Sequence, residues 1–467
     1  MIAVSKESLQ EALQTENPWW QGPSNLSSRF QTGWKRVFLE SFTRLIKAGK
    51  PCREIVLLGP RRVGKTFLIH HAISELLEEG VDPNRILYVA IDNPLFIDCS
   101  LLDLLQTFQT VTGSDWRRQR CYVFFDEIQY LKNWEQHLKS LHDSGTDTQF
   151  VVSGSAASAL NQGSKESGAG RFTEFVLPPL TFAEFIDLKQ KNQLIDRDER
   201  GFFAADIGSL NRELLSYLNY GGYPEIANAT ELQADTTRFM RFEIIDKVLL
   251  RDLPSLYGVA DVRELHRLFT VLALNSGNEL SLEDLSQKSH VGKATLRKYI
   301  DYLEAAFLIR VVTRVDQHAG RFQRDRQVKI YLTNPSLRTG LFSALTEDAP
   351  ALGHLVETGV FAQNFHKQDS HLHYARWKSG KTIHELDLVS LTSGLIPLSA
   401  TEVKFTDRVA RQPGSWLPWL NFCQKNKLKN LTVTTRTHED LVEVDGVSIQ
   451  FVPTAVYIYQ SGLVEGP

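Results

Sequence analysis

The stretch Gly59-Pro60-Arg61-Arg62-Val63-Gly64-Lys65-Thr66 has the spacing GxxxxGK[ST], and its residue types suit a polyphosphate. Glycines let backbone N–H groups turn inward to cradle phosphates, Lys65 reaches the β/γ-phosphates of ATP, and Thr66 offers a hydroxyl to Mg²⁺. Phe67 opens the helical-looking run that follows, so the expected nucleotide contacts extend from Gly59 to Phe67. In CYVFFDEIQYL an apolar run delivers Asp126-Glu127; Asp126 is expected in the Mg²⁺ shell, and Glu127 is expected to orient the attacking water. QFVVSGS ends in Ser153 and Ser155, either of which could sense the γ-phosphate, although turn chemistry explains both equally well. Arg171 closes the glycine- and serine-rich NQGSKESGAGR. On a mobile loop near the phosphate end it would stabilise transferring charge, in cis or from a neighbouring subunit of a homo-oligomer; the alternative is a solvated surface arginine.

A second group lies far downstream. Glu357 falls in the helix-like GHLVETGVFAQNF, Asp387 in the strand-like IHELDLVSL, and Glu402-Val403-Lys404 in LSATEVKF, where alternation puts Glu402 and Lys404 on one face. Carboxylates converging with a lysine suit metal-assisted phosphodiester hydrolysis. Glu357, Asp387 and Glu402 would hold Mg²⁺, and Lys404 would help place the hydroxide or neutralise developing charge. Taken alone, an ExK on a strand is commonly just a solvated face.

These residues need a scaffold. REIVLLG before the loop and FLIHHAISELLEE after it read as strand, loop and helix, the context that a phosphate-binding loop requires. Such strands belong to an α/β core that binds ligands at their C-terminal ends. Residues 1–49 form a lead-in containing ENPWWQGPSN, whose Trp19 and Trp20 either pack on the nucleotide domain or stack on the adenine, followed by a helix through TGWKRVFLESFTRLIKAG. Residues 50–179 make the nucleotide core, and residues 180–260, rich in helical periodicity and without strand alternation, make a helical lid.

Residues 261–328 carry a winged helix-turn-helix pattern, with a turn at His290 to Lys293. Leu296, Ile300 and Leu303 face a core there, leaving Thr295, Arg297 and Lys298 outward on the recognition helix. From Lys288 to Lys329 there are ten Lys/Arg against four Asp/Glu, including RFQRDRQVK, an excess suited to DNA phosphates; a winged helix used only for protein packing is the alternative. In residues 329–467 strands and helices alternate again, through VKIYL, the Glu357 helix, HLHYARWK, IHELDLVSL, LSATEVKF, LTVTT and AVYIY.

A chain of 467 residues is ample for about three domains. Its net charge of −3 means that any DNA contact must come from a local patch. Cys52, Cys99, Cys121 and Cys423 form no CxxC pair, so no zinc site or disulfide framework is expected. With no basic-then-apolar leader and no apolar run near the roughly 20 residues of a membrane span, the expected compartment is the cytoplasm.

Taken together, GPRRVGKT, DEIQYLKNW, VVSGS, GAGR, PLTFAEF and GGYPE (Gly221 to Glu225) resemble the bacterial and archaeal AAA-type ATPases that carry a C-terminal restriction-endonuclease-like domain. The resemblance covers nearly the whole chain and implies Mg·ATP binding at Gly59 to Thr66 with Asp126 and Glu127. It also implies that Glu357, Asp387, Glu402 and Lys404 match the nuclease-like motif position by position. One departure is Asn334 in YLTNPSL, a position that is often aspartate in the family. The family's biological roles are mostly unassigned. An ATPase controlling a DNA nuclease and a nucleotide-switched binder with a degenerate nuclease-like domain are both expected outcomes, separable by metal-dependent cutting.

Overall fold

The apolar run before Gly59 forms β1 (Glu54–Gly59), buried along its whole length. It is joined by β2 (Ile86–Ala90), β3 (Tyr122–Asp126), β4 (Gln149–Ser155) and β5 (Phe172–Val176). The order is β2-β3-β4-β1-β5, every pair parallel. Parallel neighbours need crossovers, which helices Lys65–Glu78, Leu101–Thr112 and Trp134–Asp143 supply between successive strands. The sheet therefore puts Gly59, Asp126 and Ser153 at one edge, with β4 separating the loop strand from the acid strand. This computed structural model describes all residues except 1–4, 23–24, 26–29, 31–32, 50–52, 97–98, 156–170, 200, 229–234, 321–326, 365–366, 368–370 and 465–467.

The lead-in packs on this sheet. Asn17 pairs with Tyr88 as a strand would, its amide donating to Tyr88 O at 2.8 Å and its Oδ1 accepting from Tyr88 N at 2.7 Å. Both Trp19 and Trp20 donate their indole N–H to Ile86 O, and Trp19 is 1% exposed, which is the packing alternative for the aromatic pair. The helix expected through residues 32–49 is confined to Leu39–Lys47.

By internal packing the chain divides into two units, residues 1–177 with 464–467 and residues 178–463. The segment expected as a lid packs within the second unit. Its helix Phe182–Leu188 receives the Gln363 Oε1 at Phe182 N, while Gln363 Nε2 donates to Tyr217 Oη on helix Ile207–Tyr220. It also contains strands, contrary to expectation: β6 (Ile195–Asp198) and β7 (Gly201–Ala204) form a hairpin too short to leave an alternation.

Beyond it run helix Val262–Leu274, β8 (Glu279–Ser281), helices Leu282–Ser289 and Lys293–Ala305, β9 (Ile309–Val315) and β10 (Gln327–Leu332). The remaining strands are β11 (His371–Ser379), β12 (Thr382–Leu391), β13 (Pro397–Glu402), β14 (Asn430–Thr435), β15 (Asp440–Val444) and β16 (Val447–Pro453). They form one nine-stranded sheet, β15-β16-β14-β13-β12-β11-β9-β10-β8. The boundary drawn at 328/329 thus falls inside β10, and the sheet continues across it because β9 pairs with β11. AVYIY is not a strand but part of helix Thr454–Gly462; β-branched and aromatic residues imitate a strand, yet burial of Ala455, Val456 and Ile458 against the sheet decides the element.

Candidate functional site

In the first unit, Gly59 leaves β1 with φ 155°, and a Cβ there would lie 2.3 Å from Leu177 O, so only glycine fits. Leu177, the last residue before the second unit, also donates its N–H to Leu58 O at 2.8 Å. Arg62 and Gly64 take left-handed φ values of 64° and 97°, turning the loop so that helix Lys65–Glu78 starts immediately after it. The Lys65 ammonium is folded onto the loop, donating to Gly59 O at 3.0 Å and Pro60 O at 2.9 Å, where a phosphate oxygen would compete for it. Arg61, Val63 and Phe67 complete the stretch. Val63 O accepts a hydrogen bond from the guanidinium of the buried Arg36 at 2.7 Å, a brace from the lead-in that no motif announces.

Asp126 gathers the rest. Its Oδ2 accepts from Thr66 Oγ1 at 2.7 Å and from Tyr88 Oη at 3.0 Å, and its Oδ1 accepts from Ser153 Oγ. Burial, with the Asp126 carboxylate adding to it, pushes the Tyr88 phenol far up, so Tyr88 stays a donor. Tyr88 escaped sequence reasoning because nothing in ILYVA sets it apart from a core residue. Glu127 adopts a left-handed φ of 54°, uncommon for a non-glycine, and its N–H donates at 3.2 Å to both Asp126 Oδ1 and Ser153 Oγ. Gln129 Nε2 holds the Glu127 carboxylate. A hydroxyl and a carboxylate side by side at the foot of the loop fit a hard divalent ion such as Mg²⁺.

Arg171 lies elsewhere. It precedes β5 at the level of Glu54, at the N-terminal end of the parallel sheet, and its Nε donates to Asp143 Oδ1 at 3.0 Å. The phosphate loop is at the opposite end, roughly 15–20 Å away along a six-residue strand. A cis finger is therefore corrected; the preceding residues 161–170, expected to be mobile, lie outside the described residues. Ser155's side chain does too, leaving Ser153 as the serine seen at Asp126.

In the second unit, Glu357, Asp387, Glu402 and Lys404 converge beside a cleft of about 880 Å³. Lys404 Nζ pairs with Glu402 and lies 3.5 Å from Asp387 Oδ2, which also accepts from Val403 N at 3.0 Å. Two further residues come from β10. Lys329 Nζ lies 2.9 Å from Glu357 Oε1, 2.7 Å from Glu385 Oε1 and 3.5 Å from Asp387 Oδ1, and Tyr331 Oη donates to Glu357 Oε1 at 2.6 Å. Burial opposes ionisation of Glu357, but Lys329, His354 and Tyr331 together hold its carboxyl well below the usual range. Burial and the neighbouring Asp387 push the Glu402 carboxyl well up, against the pull of Lys404.

Lys329 was counted in the surface basic excess; it is 2% exposed and its charge is spent internally. The K-I-Y alternation of VKIYL was the available signal, since Lys329 and Tyr331 share a face. The expected metal seat does not fit as folded. Among the described residues no group of three or more His, Cys, Asp or Glu could hold a metal ion, and in this cluster Lys329 and Lys404 lie against the two oxygens of Asp387.

Arg297 and Lys298 are exposed, Thr295 is half-buried, and Leu296, Ile300 and Leu303 are buried with Tyr299. Arg321 to Arg326, the rest of the basic run, lie outside the described residues. Asn334 caps helix Pro335–Gly340 through its Oδ1, and its side chain fills the space that a Cβ on Gly222 of GGYPE would need. Among the described residues no helix is long and apolar enough to cross a membrane.

Residues 53–186 match the family described as AAA domain, and residues 211–348 match a domain of unknown function, DUF8612, which spans both boundaries expected at 260/261 and 328/329. The first unit thus carries an AAA-type P-loop domain. An uncharacterized protein of Haemophilus influenzae is 24% identical over 405 residues, covering 85% of this chain and 92% of its own length. The uncharacterized protein MJ1637 of Methanocaldococcus jannaschii is 25% identical, covering 60% of this chain and 62% of its own. Among solved structures, the ORC2 protein of Aeropyrum pernix in its ADP form aligns at 17% identity over 60% of this chain and 90% of its own, with a TM-score of 0.32, a likeness too slight to bear on function.

Proposed function

We propose that the chain is an ATP-driven switch, an AAA-type ATPase whose nucleotide state sets the DNA affinity of the second unit. The observation that carries this reading is the Thr66–Asp126 pair at the foot of the loop that also bears Lys65. Thr66 and Asp126 would hold Mg²⁺, which supplies charge neutralisation at the phosphates. Lys65 exchanges its two carbonyl partners for phosphate oxygens, Ser153 and Tyr88 fix the Asp126 carboxylate, and Glu127 orients water. Gly59 touches Leu177, where the chain passes to Pro178, so a change in the loop has a covalent route into the second unit.

DNA contact is supported by the element order helix-β8-helix-helix-β9-β10, that of a winged helix, with Arg297 and Lys298 exposed on its second close-packed helix. The succession helix Leu352–Ala362, β11, β12, β13, helix Leu417–Lys425, β14 supports a restriction-endonuclease-like fold. A metal-dependent nuclease is the second reading, favoured by the convergence of Glu357, Asp387, Glu402 and Lys404. Incubating DNA with Mg²⁺ or Mn²⁺, with and without ATP, separates the two: cutting that Asp387→Ala abolishes would establish the nuclease.

The switch reading predicts that Lys65→Ala abolishes ATP hydrolysis and weakens nucleotide binding, since Lys65 is the cation that this motif places on the β/γ-phosphates. Glu127→Gln should retain ATP and stall turnover. Phosphate release and a fluorescent-nucleotide titration check both; unchanged turnover in either variant would sink the site assignment.

A further inference from the structure

The carboxylate cluster of the second unit has an internal cation. Lys329 is 3% exposed at its side chain, and its three nearest acceptors, on Glu357, Glu385 and Asp387, match the three N–H bonds of an ammonium. Asp387 is divided: Oδ1 faces Lys329 and Oδ2 faces Lys404. Glu357 is held equally firmly, since Oε1 accepts from both Lys329 and Tyr331. A divalent ion bridging Glu357 and Asp387 would have to take an Asp387 oxygen from one of the two ammonium groups, and Glu357 would offer it only Oε2, which lies 3.8 Å from His354 Nδ1. It would also have to sit against a buried positive charge that cannot leave without stripping those carboxylates of their partner, an arrangement that costs free energy.

We propose that Lys329 is the resident cation of this cluster, standing where a divalent ion would bridge Glu357 and Asp387, so that the second unit engages DNA without taking up metal or cutting. This rests on the switch reading for its DNA partner, but its metal-binding core does not. Neither position nor burial suits Lys329 to the surface: its neighbour Tyr331 shares its face and its target, and Glu385 links it on to Arg376. The β10 face is thus built around the acid cluster rather than beside it.

The test is a Mn²⁺ titration of the full nucleotide-free chain, followed by the paramagnetic resonance of free Mn²⁺ and by thermal shift. Wild type and Asp387→Asn are expected to give superimposable isotherms. Lys329→Gln is expected to bind one Mn²⁺ more than wild type does. It should also melt lower than wild type and recover with Mn²⁺, and Lys329→Gln/Asp387→Asn should lose both effects. A Mn²⁺ site in wild type that Asp387→Asn removes would overturn the assignment, whether or not Lys329→Gln folds. So would a folded Lys329→Gln chain that gains no site. Because neither DNA nor ATP enters the titration, either result leaves the ATP-binding reading standing or falling on its own tests.

Discussion

At the residue scale, several charged side chains here are held by partners that decide what they can do. Lys65 sits on its own loop's carbonyls, Asp126 accepts three hydroxyls, and Lys329 is enclosed by three carboxylates. Glu54 at the start of β1 offers a measurable case. Burial pushes its carboxyl up to about 7, against the hydrogen bond and charge of His142 at 2.8 Å. The folded chain therefore binds a proton that the unfolded chain releases, and stability falls as pH rises from 4.5 through about 7. Glu54→Gln should flatten that window, removing a slope of up to about 1.4 kcal/mol per pH unit. Urea denaturation midpoints across the window check it, and an unchanged pH slope would remove Glu54 as its source.

At the scale of elements, β1, β3, β4 and the helix Lys65–Glu78 were legible because apolar runs end abruptly in glycine, acid or serine. That punctuation also located Asp126 and Ser153. The C-terminal four were legible as residue types, yet their partner Lys329 was not, because a lysine in an alternating strand reads as solvated until the opposite carboxylates are known. AVYIY misled through composition, and the β6–β7 hairpin through brevity. Arg171 misled through topology: a residue that follows the acid and serine strands in sequence returns to the far end of a parallel sheet before β5 begins. Arg171→Ala is accordingly expected to leave ATP turnover within about two-fold of wild type, as for other exposed ion pairs. A large loss that mixing with Lys65→Ala restores would instead give Arg171 a role across a subunit boundary.

At the scale of the whole molecule, an AAA-type loop and a unit proposed to bind DNA form one machine only if nucleotide and DNA are linked. Linkage is reciprocal, so a nucleotide that alters DNA affinity must itself be bound differently when DNA is present. The exposed Arg297 and Lys298 give the DNA side a signature: replacing both should reduce the slope of log affinity against log salt by about two. The most direct measurement is DNA anisotropy at fixed salt for Glu127→Gln held in Mg·ATP and for the same chain without nucleotide. The switch predicts dissociation constants at least about ten-fold apart, about 1.4 kcal/mol, in either direction. Equal constants in the two states, with ATP verified as bound, would contradict it.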